Sequence, residues 1–217
     1  FELWKTDGTT DGTVLVKDIN PGSQSSSVFS QFFEFNNEIY FPADDGTNGE
    51  ALWKSDGTEV GTTLVKNINP GDADGNITDL IVYNGMLYFF GSSNNNKYLY
   101  ESDGTTAGTS IVVEVDINTN DNTANLTVFN NALYFTANDP SDFDDPEELW
   151  KSDGTAAGTV RVTFTSAAYA LAPSKYFVAG NTMYFYGSIS GFSRELFKTD
   201  GTNAGTMLVK NINTTSN

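Results

Sequence analysis

The sequence predicts an all-β protein made of repeated four-stranded antiparallel sheets, and three observations support this fold class. One motif recurs five times with a period of about 48 residues. Each repeat contains four apolar or β-branched runs of strand length, separated by tight-turn residues. No segment shows the 3.6-residue apolar period of an amphipathic helix. A fixed period of this length predicts structural units that stack or surround an axis.

The recurring motif starts with Glu-Leu-Trp or a similar triplet and continues into Asp-Gly-Thr. Its copies are Glu2–Thr9, Ala51–Thr58, Tyr98–Thr105, Glu148–Thr155 and Glu195–Thr202. Two residues later each copy has Gly-Thr, and the first copies continue into a β-branched run such as Val14–Ile19. Two apolar runs joined by a tight Asp/Gly turn predict a β-hairpin.

A second hairpin is predicted upstream of the motif in each complete repeat. Its tips carry Asn-Asn or Asn-Gly, or Gly-Asn in the last copy, within 35–41, 83–89, 129–135 and 179–185. Asn and Gly suit such turns because they accept positive φ at little steric cost.

Runs such as Ile39–Phe41 and Leu87–Phe90 are apolar at consecutive positions. A strand that lies between two neighbouring sheets needs apolar side chains on both faces, whereas a half-solvated strand would alternate. Four antiparallel strands per repeat are typical of a β-propeller blade. A β-solenoid is the alternative, but its coils are shorter and need no tight hairpins.

The repeat boundaries divide residues 1–217, as a single propeller module, into half a blade and four blades. The predicted divisions are a half blade at 1–22 and blades at about 23–71, 72–118, 119–165 and 166–213. The chain therefore opens in the third strand of a blade and contains 18 predicted strands. Since this count matches neither four nor five complete blades, we expect a fragment of a longer repeat protein.

The composition excludes several classes of function. With 28 acidic and 11 basic residues the net charge is −17, which argues against nucleic-acid binding. No uninterrupted apolar run is long enough for a membrane helix, so direct membrane insertion is not expected. Without His or Cys the chain cannot form a Ser/His/Asp triad, a His-based metal site or a thiolate site. We therefore expect no enzyme activity and no cofactor, although a carboxylate pair for glycoside hydrolysis stays open.

The aspartates of the five motifs are candidate functional residues with two interpretations. They are Asp7, Asp56, Asp103, Asp153 and Asp200. An aspartate at the start of a tight turn accepts hydrogen bonds from backbone amides two residues on, which predicts a structural role. The alternative is metal or ligand binding by five copies around an axis, and we favour turn-building.

The aromatic position of the motif and a lysine in the fourth strand also recur. The aromatic series is Trp4, Trp53, Tyr100, Trp150 and Phe197. We expect these rings to fill the space between blades, the alternative being a platform for stacking sugars. The lysines are Lys17, Lys66 and Lys210, and on an outermost strand they suggest protection of a sheet edge.

Two acidic loops differ between the copies. The segment with Asp72, Asp74, Asn76 and Asp79 resembles half of a calcium-binding loop, because acidic side chains alternate around a Gly turn. It lacks the terminal Glu of an EF-hand loop, and a solvated turn is the alternative. The second loop, 139–147, is longer than its counterparts and is a candidate recognition loop or a tolerated surface excursion.

The motif as a whole resembles the ELWxxDGT repeat family. The match rests on Glu-Leu-Trp-x-x-Asp-Gly-Thr followed by x-x-Gly-Thr-x-Leu-Val-Lys-Asp/Asn-Ile-Asn-Pro-Gly, which the first two copies carry through Gly22 and Gly71. The third copy departs from it at Tyr98, Tyr100 and Glu101, and the fourth loses the Lys-Asp-Ile end. The resemblance spans essentially the whole chain and recurs in phase.

The resemblance implies a large secreted or surface-attached bacterial protein, often of the Bacteroidota and often exported by type IX secretion. It supplies no catalytic residues. We therefore expect an extracellular or outer-surface module for adhesion, assembly or ligand presentation, with protein or glycan partners. A carbohydrate-binding, lectin-like propeller is the first alternative, and a carboxylate-based glycosidase or lyase is the second.

Overall fold

The computed structural model describes residues 1–22, 24–26, 31–115, 125–139, 147–163, 171–188 and 194–212. These residues form 18 strands, and they include no helix that is long and apolar enough to cross a membrane. The chain divides into two compact units, Phe1–Ile111 and Val112–Asn217, each of which is described by itself. The last strand of the first unit continues across this boundary.

The first unit contains three sheets, whose hydrogen-bonded strands are consecutive in sequence. Sheet I consists of β1 (Leu3–Lys5) and β2 (Val14–Lys17). Sheet II consists of β3 (Phe33–Phe35), β4 (Glu38–Asp44), β5 (Glu50–Ser55) and β6 (Thr63–Lys66). Sheet III consists of β7 (Thr78–Tyr83), β8 (Met86–Ser93), β9 (Asn96–Ser102) and β10 (Ser110–Val115).

The second unit contains two sheets of the same design. Sheet IV consists of β11 (Thr127–Phe129), β12 (Ala132–Ala137), β13 (Glu148–Ser152) and β14 (Val160–Arg161). Sheet V consists of β15 (Ser174–Ala179), β16 (Thr182–Gly187), β17 (Glu195–Thr199) and β18 (Met207–Lys210). The predicted all-β class and the four-stranded antiparallel sheets are confirmed.

The first hairpin of each four-stranded sheet turns on two residues. Asn36 and Asn37 have φ of 52° and 62°, and Asn130 and Asn131 have 45° and 55°. Positive φ at both central residues is the type I′ geometry, whose twist matches that of the flanking strands. The predicted use of Asn at these tips is confirmed.

Neighbouring sheets within a unit share buried apolar layers. Between sheets I and II, Leu3 and Val16 pack with Phe41 and Trp53. On the opposite face of sheet II, Tyr40 joins a second buried layer with sheet III. Because Tyr40 and Phe41 are consecutive and both buried, β4 lies between two layers, as the sequence predicts.

The same arrangement recurs in the other interfaces. Leu52 and Val65 of sheet II pack with Leu87 and Phe89 of sheet III. In the second unit Tyr134 and Leu149 of sheet IV, together with Val162 just after β14, pack with Met183 of sheet V. Apolar burial between consecutive sheets is therefore the main stabilising interaction within each unit.

The aromatic series is buried at three positions and not at the first. Trp53, Tyr100 and Phe197 are buried, Trp150 is half-buried, and Trp4 is 58% exposed. Trp150 Nε1 donates to Ala137 O at 2.9 Å. The predicted packing is therefore seen at Trp53, Tyr100 and Phe197 and is not seen at Trp4.

Two of the recurring lysines, Lys17 and Lys66, reach the next sheet, which differs from the expected protection of an edge. Lys17 Nζ donates to Thr62 O at 2.7 Å and to Glu59 O at 3.3 Å. Lys66 Nζ donates to Thr109 O at 2.7 Å and Thr106 O at 3.3 Å. The carbonyls belong to the Asp-Gly-Thr turn of the following sheet, so each lysine joins two sheets.

The crossover segments, residues 18–32, 67–77 and 162–173, link one sheet to the next. In the second of them Gly75 N donates to Glu50 O at 2.8 Å, and Ser92 N donates to Gly75 O at 2.6 Å. One residue thus bonds the backbones of sheets II and III. Ser26 bonds sheets I and II in the same way, through Phe1 O and Asp44 N.

Candidate functional site

Each Asp-Gly-Thr segment forms a turn between the last two strands of its sheet. In the second copy Asp56 Oδ1 accepts hydrogen bonds from Thr58 N at 2.8 Å and Thr58 Oγ1 at 2.7 Å. Gly61 N donates to Thr58 Oγ1 at 3.0 Å, and Thr62 Oγ1 donates to Thr58 O at 2.7 Å. The same pair of aspartate bonds recurs at Asp7, Asp103, Asp153 and Asp200.

The spacing between the aspartate and the following Gly-Thr has a steric reason. A Cβ on Gly61 would overlap the Asp56 carboxylate, so only glycine fits there. The equivalent glycines meet the same restriction: Gly12, Gly108, Gly158 and Gly205. Gly57, with φ of 84°, supplies the left-handed conformation that the turn also needs.

These hydrogen bonds favour the ionised form of each turn aspartate. The Thr58 hydroxyl first, and then the Thr58 backbone amide, lower the pKa of Asp56 below its ordinary value. The other four copies have a lowered pKa for the same reason. In each copy one carboxylate oxygen is therefore committed to the turn.

Three of the four candidate calcium ligands, Asp74, Asn76 and Asp79, take part in hydrogen bonds. Asp74 Oδ1 accepts a hydrogen bond from Glu50 N at 2.9 Å, and Asp74 O accepts one from Asn76 Nδ2 at 3.3 Å. The amide of Asp79 donates to Gln31 Oε1 at 3.2 Å. In the described part of the chain, Asp72, Asp74 and Asp79 do not form a group that could hold a metal ion. The Asp74 side chain bonds this crossover segment to sheet II, and the calcium site stays a prediction.

The second acidic loop is described only at its ends. Asp139 and Glu147 are within the described residues, and 140–146 lie outside them. Its predicted role in recognition stays a prediction.

Glu50 is a buried acid that the sequence analysis missed. Its Oε1 accepts a hydrogen bond from Ile77 N at 2.6 Å. Burial raises the pKa of Glu50, the negative charges of Asp74 and Asp44 act in the same direction, and Lys97 opposes them. Burial lowers the pKa of Lys97, while Glu50 acts to raise it. A buried carboxyl group and a half-buried amino group of opposite charge thus interact here, and Glu50 also bonds the residue that follows Asn76.

Three further glutamates bond the backbone or side chains of the segments that follow their sheets. Glu2 accepts hydrogen bonds from Ile19 N at 2.7 Å and Ser26 N at 3.1 Å. Glu195 accepts one from Ile212 N at 3.0 Å, and Glu148 accepts one from the Thr163 hydroxyl. The signal in the sequence is the acid directly before Leu-Trp or Leu-Phe in these copies, or one position earlier at Glu50.

The two ends of the sheets differ in how constant their loops are. At the turn end, the first-hairpin loops are always two residues, at 36–37, 84–85, 130–131 and 180–181. At the connector end, which also carries the crossover segments, the connections differ in length: 45–49, 94–95, 138–147 and 188–194. Variation in loop length is therefore concentrated at the connector end.

The described connector end of sheets II and III is rich in amide and carboxylate groups. Asn67 Nδ2 donates to Asn48 Oδ1 at 3.4 Å, which joins the 45–49 loop to the crossover segment. Asn94 N donates to Asn69 Oδ1 at 3.2 Å, which joins the 94–95 loop to the same segment. Such groups bind hydroxyl-rich ligands and peptide backbones through hydrogen bonds.

Comparison with known proteins gives similarity of structure only. No protein-family model matches the sequence, and a search of curated proteins found no match. A puromycin hydrolase S511A mutant, complexed with PGG, superposes with a TM-score of 0.55 at 13% identity, over 82% of this chain and 28% of that one. Oligopeptidase B from Leishmania major gives 0.54 at 12% identity, over 86% and 28%.

A family 117 glycoside hydrolase from Zobellia galactanivorans has a TM-score of 0.44 at 9% identity, over 83% of this chain and 68% of that one. This similarity is too low to support an argument about activity. The chain spans 28% of the length of each of the first two structures. At these identities the comparisons show a shared fold alone: an all-β chain of four-stranded antiparallel sheets, consistent with a propeller.

Proposed function

We propose that the chain is a propeller module of the ELWxxDGT type that binds a partner without catalysis, at the cell surface or outside the cell. The shared layers between consecutive sheets support blade-like packing within each unit. The recurring motif supports the family, and the family supports the extracellular location. The partner is a surface protein or a glycan.

The concentration of loop variation at the connector end carries this proposal. A constant scaffold with variable loops at one end is the usual architecture of a recognition surface. The turn end repeats one internally bonded turn five times, so it offers little that distinguishes one copy from another. We therefore place the binding surface on the connector end.

A lectin-like role is the second candidate, and the side chains of this end favour it. Asn48, Asn67, Asn69 and Asn94 lie together with Asp45, which accepts hydrogen bonds from Asn48 N at 2.9 Å and Asn48 Nδ2 at 2.7 Å. Planar amides and carboxylates of this kind match the paired hydroxyls of a sugar.

The glycosidase alternative needs two free carboxyl groups at a suitable separation. Glu50 has the raised pKa expected of a general acid, but its Oε1 is bonded to Ile77 N. The Glu50→Gln variant separates the two roles, because an amide oxygen can still accept the Ile77 bond. Release of reducing ends from a polysaccharide panel, abolished in this variant, would support catalysis and contradict our proposal.

The binding test compares two sets of exposed substitutions on a glycan array and on immobilised surface proteins. The connector-end set is Thr47→Ala, Asp72→Ala and Asn95→Gly, which keeps the positive φ of 67° at Asn95. The matched turn-end control is Asp11→Ala with Glu59→Ala. We expect the first set to weaken binding at least about tenfold, the effect of roughly 1.4 kcal/mol, and the control to bind normally. Loss of binding in the control alone would contradict the assignment.

A further inference from the structure

Glu50 and Lys97 occupy the same position in consecutive sheets of the first unit, one residue before the repeated motif. Gly75 joins the two positions through its backbone. Its amide donates to Glu50 O at 2.8 Å, and its carbonyl accepts from Ser92 N at 2.6 Å. Ser92 faces Lys97 in the register of sheet III. This arrangement places an acid and a base on the two sides of one crossover residue, at the connector end.

The two side chains attract each other but do not meet. Burial raises the pKa of Glu50 and lowers the pKa of Lys97, and each group partly offsets this change in the other. No ion pair within 4.0 Å joins them, and among the described residues Lys97 Nζ has no hydrogen-bond partner. Glu50 Oε1 accepts a hydrogen bond from Ile77 N, while Glu50 Oε2 bonds no described residue. Glu50 Oε2 and Lys97 Nζ are therefore available to a third group.

The Tyr100 hydroxyl is a further polar group at this place. Tyr100 is 3% exposed, and its hydroxyl bonds no described residue. A Cβ built on Gly91 would lie 3.3 Å from Tyr100 Cε2 and 3.4 Å from Gly75 O, so the edge of the ring lies beside the crossover residue. Burial raises the pKa of Tyr100 to about 12, and Ser93 is near enough to act against this but lacks the geometry of a hydrogen bond. Because an unbonded buried hydroxyl is unfavourable, it marks a place where a ligand atom would be stabilised.

The charges at this place favour a cationic ligand. Asp74 and Asp44 both act to raise the pKa of Glu50, and Lys97 acts against them, so the carboxylates outnumber the amine. A ligand ammonium at Glu50 Oε2 would be attracted by all three acids, whereas an anion would be repelled by them. Lys97 Nζ and the Tyr100 hydroxyl are donors, and the hydroxyl oxygens of a sugar accept from such groups. An amino sugar carries an ammonium and hydroxyl groups on adjacent carbon atoms.

We propose that Glu50, Lys97 and Tyr100 form a site for an amino sugar with a free amine. The ammonium bonds Glu50 Oε2, and the adjacent hydroxyl oxygens accept hydrogen bonds from Lys97 Nζ and the Tyr100 hydroxyl. Asn69 Nδ2, which donates to Asp74 O at 3.0 Å, brings a further amide group beside the site for neighbouring sugar units. The inference rests on the proposed binding function of the connector end and gives that function a ligand class.

Calorimetric titration of the 217-residue chain with three methyl glycosides tests the site. The probes are the methyl glycosides of glucosamine, N-acetylglucosamine and glucose, which carry an amine, an amide or a hydroxyl on the same carbon atom. At near-neutral pH we expect the amine probe to bind at least about tenfold tighter than the other two, because hydrogen bonds between charged groups are the stronger ones.

Three variants assign the preference to the site. Glu50→Gln should remove it, because the amide has no charge but can still accept the hydrogen bond from Ile77 N. Tyr100→Phe should weaken binding of the amine probe severalfold. Glu38→Gln, which changes an acid of the same sheet at the turn end, is the control and should bind as the wild type does. The Tm of Glu50→Gln should stay the same or rise, because the variant loses a buried charge.

Several results would overturn the proposal. One is equal binding of the three probes by the wild type, or no binding of the amine probe. Another is a lower Tm for Glu50→Gln with the preference intact, which would give the carboxylate a role in folding alone. An equal loss of binding in Glu38→Gln, or tighter binding of triglycine as a model of a protein N-terminus, would also exclude the site.

The site and the proposed function fail separately. If the glycan and protein arrays assign binding to the turn end while the amine probe still binds in a Glu50-dependent way, the proposed function fails and the site stands. If the connector-end substitutions weaken binding on the arrays while the wild type does not bind the amine probe, the site fails alone.

Discussion

At the scale of single residues, the turn depends on a carboxylate and the absence of a side chain opposite it. Asp56 bonds Thr58 through one oxygen, and Gly61 leaves the space that the carboxylate fills. The turn role of the aspartate was predictable from Asp-Gly-Thr alone. The reason for Gly61 was not predictable, because Gly61 lies five positions after Asp56 and only the folded turn brings the two residues together.

This dependence makes a double-mutant cycle informative. We expect Asp56→Ala and Gly61→Ala each to lower the Tm by a few degrees, the first by removing the acceptor and the second by displacing it. In the Asp56→Ala background, Gly61→Ala should cost nothing or stabilise, because the overlap is gone and alanine restricts the unfolded chain. Thermal melts of the four proteins provide the measurement, and additive losses would contradict the steric explanation.

At the scale of elements, the sheets are joined by contacts that periodicity alone does not specify. The apolar runs of β4 and β8 predicted burial on both faces, and the structure confirms it. The lysine of the fourth strand was misjudged, since a charge on an outer strand is normally solvated. Lys66 instead crosses to the next turn, and sequence offers no measure of that distance.

Replacing Lys66 tests the inter-sheet contact. Lys66→Met keeps most of the aliphatic length and removes the donor to Thr106 O and Thr109 O, so we expect a loss of about 1 to 2 kcal/mol in the free energy of unfolding. Lys210→Met is the matched control, because Lys210 has the same register and is exposed. Urea denaturation at low protein concentration should show a loss for Lys66 only. Equal losses in the two variants would indicate that strand propensity, and not the hydrogen bonds from Lys66 to Thr106 O and Thr109 O, explains the lower stability.

At the scale of the whole molecule, charge sets the response to pH. The folded-state pKa of the five turn aspartates lies below their ordinary value of 3.8, so their ionised form stabilises the fold at neutral pH. That contribution is lost as the pH falls through the folded-state pKa. The contribution of Glu50 to stability changes with pH in the opposite direction. Burial raises its folded-state pKa, so its protonation at mildly acidic pH removes a buried charge and stabilises the fold.

We therefore expect the Tm to hold or rise slightly from pH 7 toward pH 5, as self-repulsion weakens, and to fall below about pH 4. Circular dichroism melts between pH 7 and pH 2.5 measure the profile. Asp56→Asn keeps an acceptor that does not titrate, so its acid loss should be smaller than that of the wild type. If the Tm of the variant fell below pH 4 by as much as that of the wild type, the hydrogen bonds of the turn aspartates would not control the dependence of stability on pH.

The candidate site was the least predictable level. The calcium candidates Asp72, Asp74, Asn76 and Asp79 stay a prediction beside the alternative of a solvated turn, because alternation of acids around a glycine does not fix where a crossover segment runs. The interaction of Glu50 with Lys97 was missed because the two residues lie 47 positions apart, although the acid before the repeated Leu-Trp marks Glu50 itself. The burial of Glu50 accompanies its bond to Ile77, which lies 27 residues later in the chain.

The crossover segments have a mechanical consequence. Gly75 is bonded to Glu50 O on one side and to Ser92 N on the other, so a force that pulls sheet II away must break its links to the following sheet as well. Under tension the array should yield in discrete steps, one repeat at a time. A repeat of about 48 residues spans at most about 160 to 170 Å when fully stretched, so each step would lengthen the chain by less than this value.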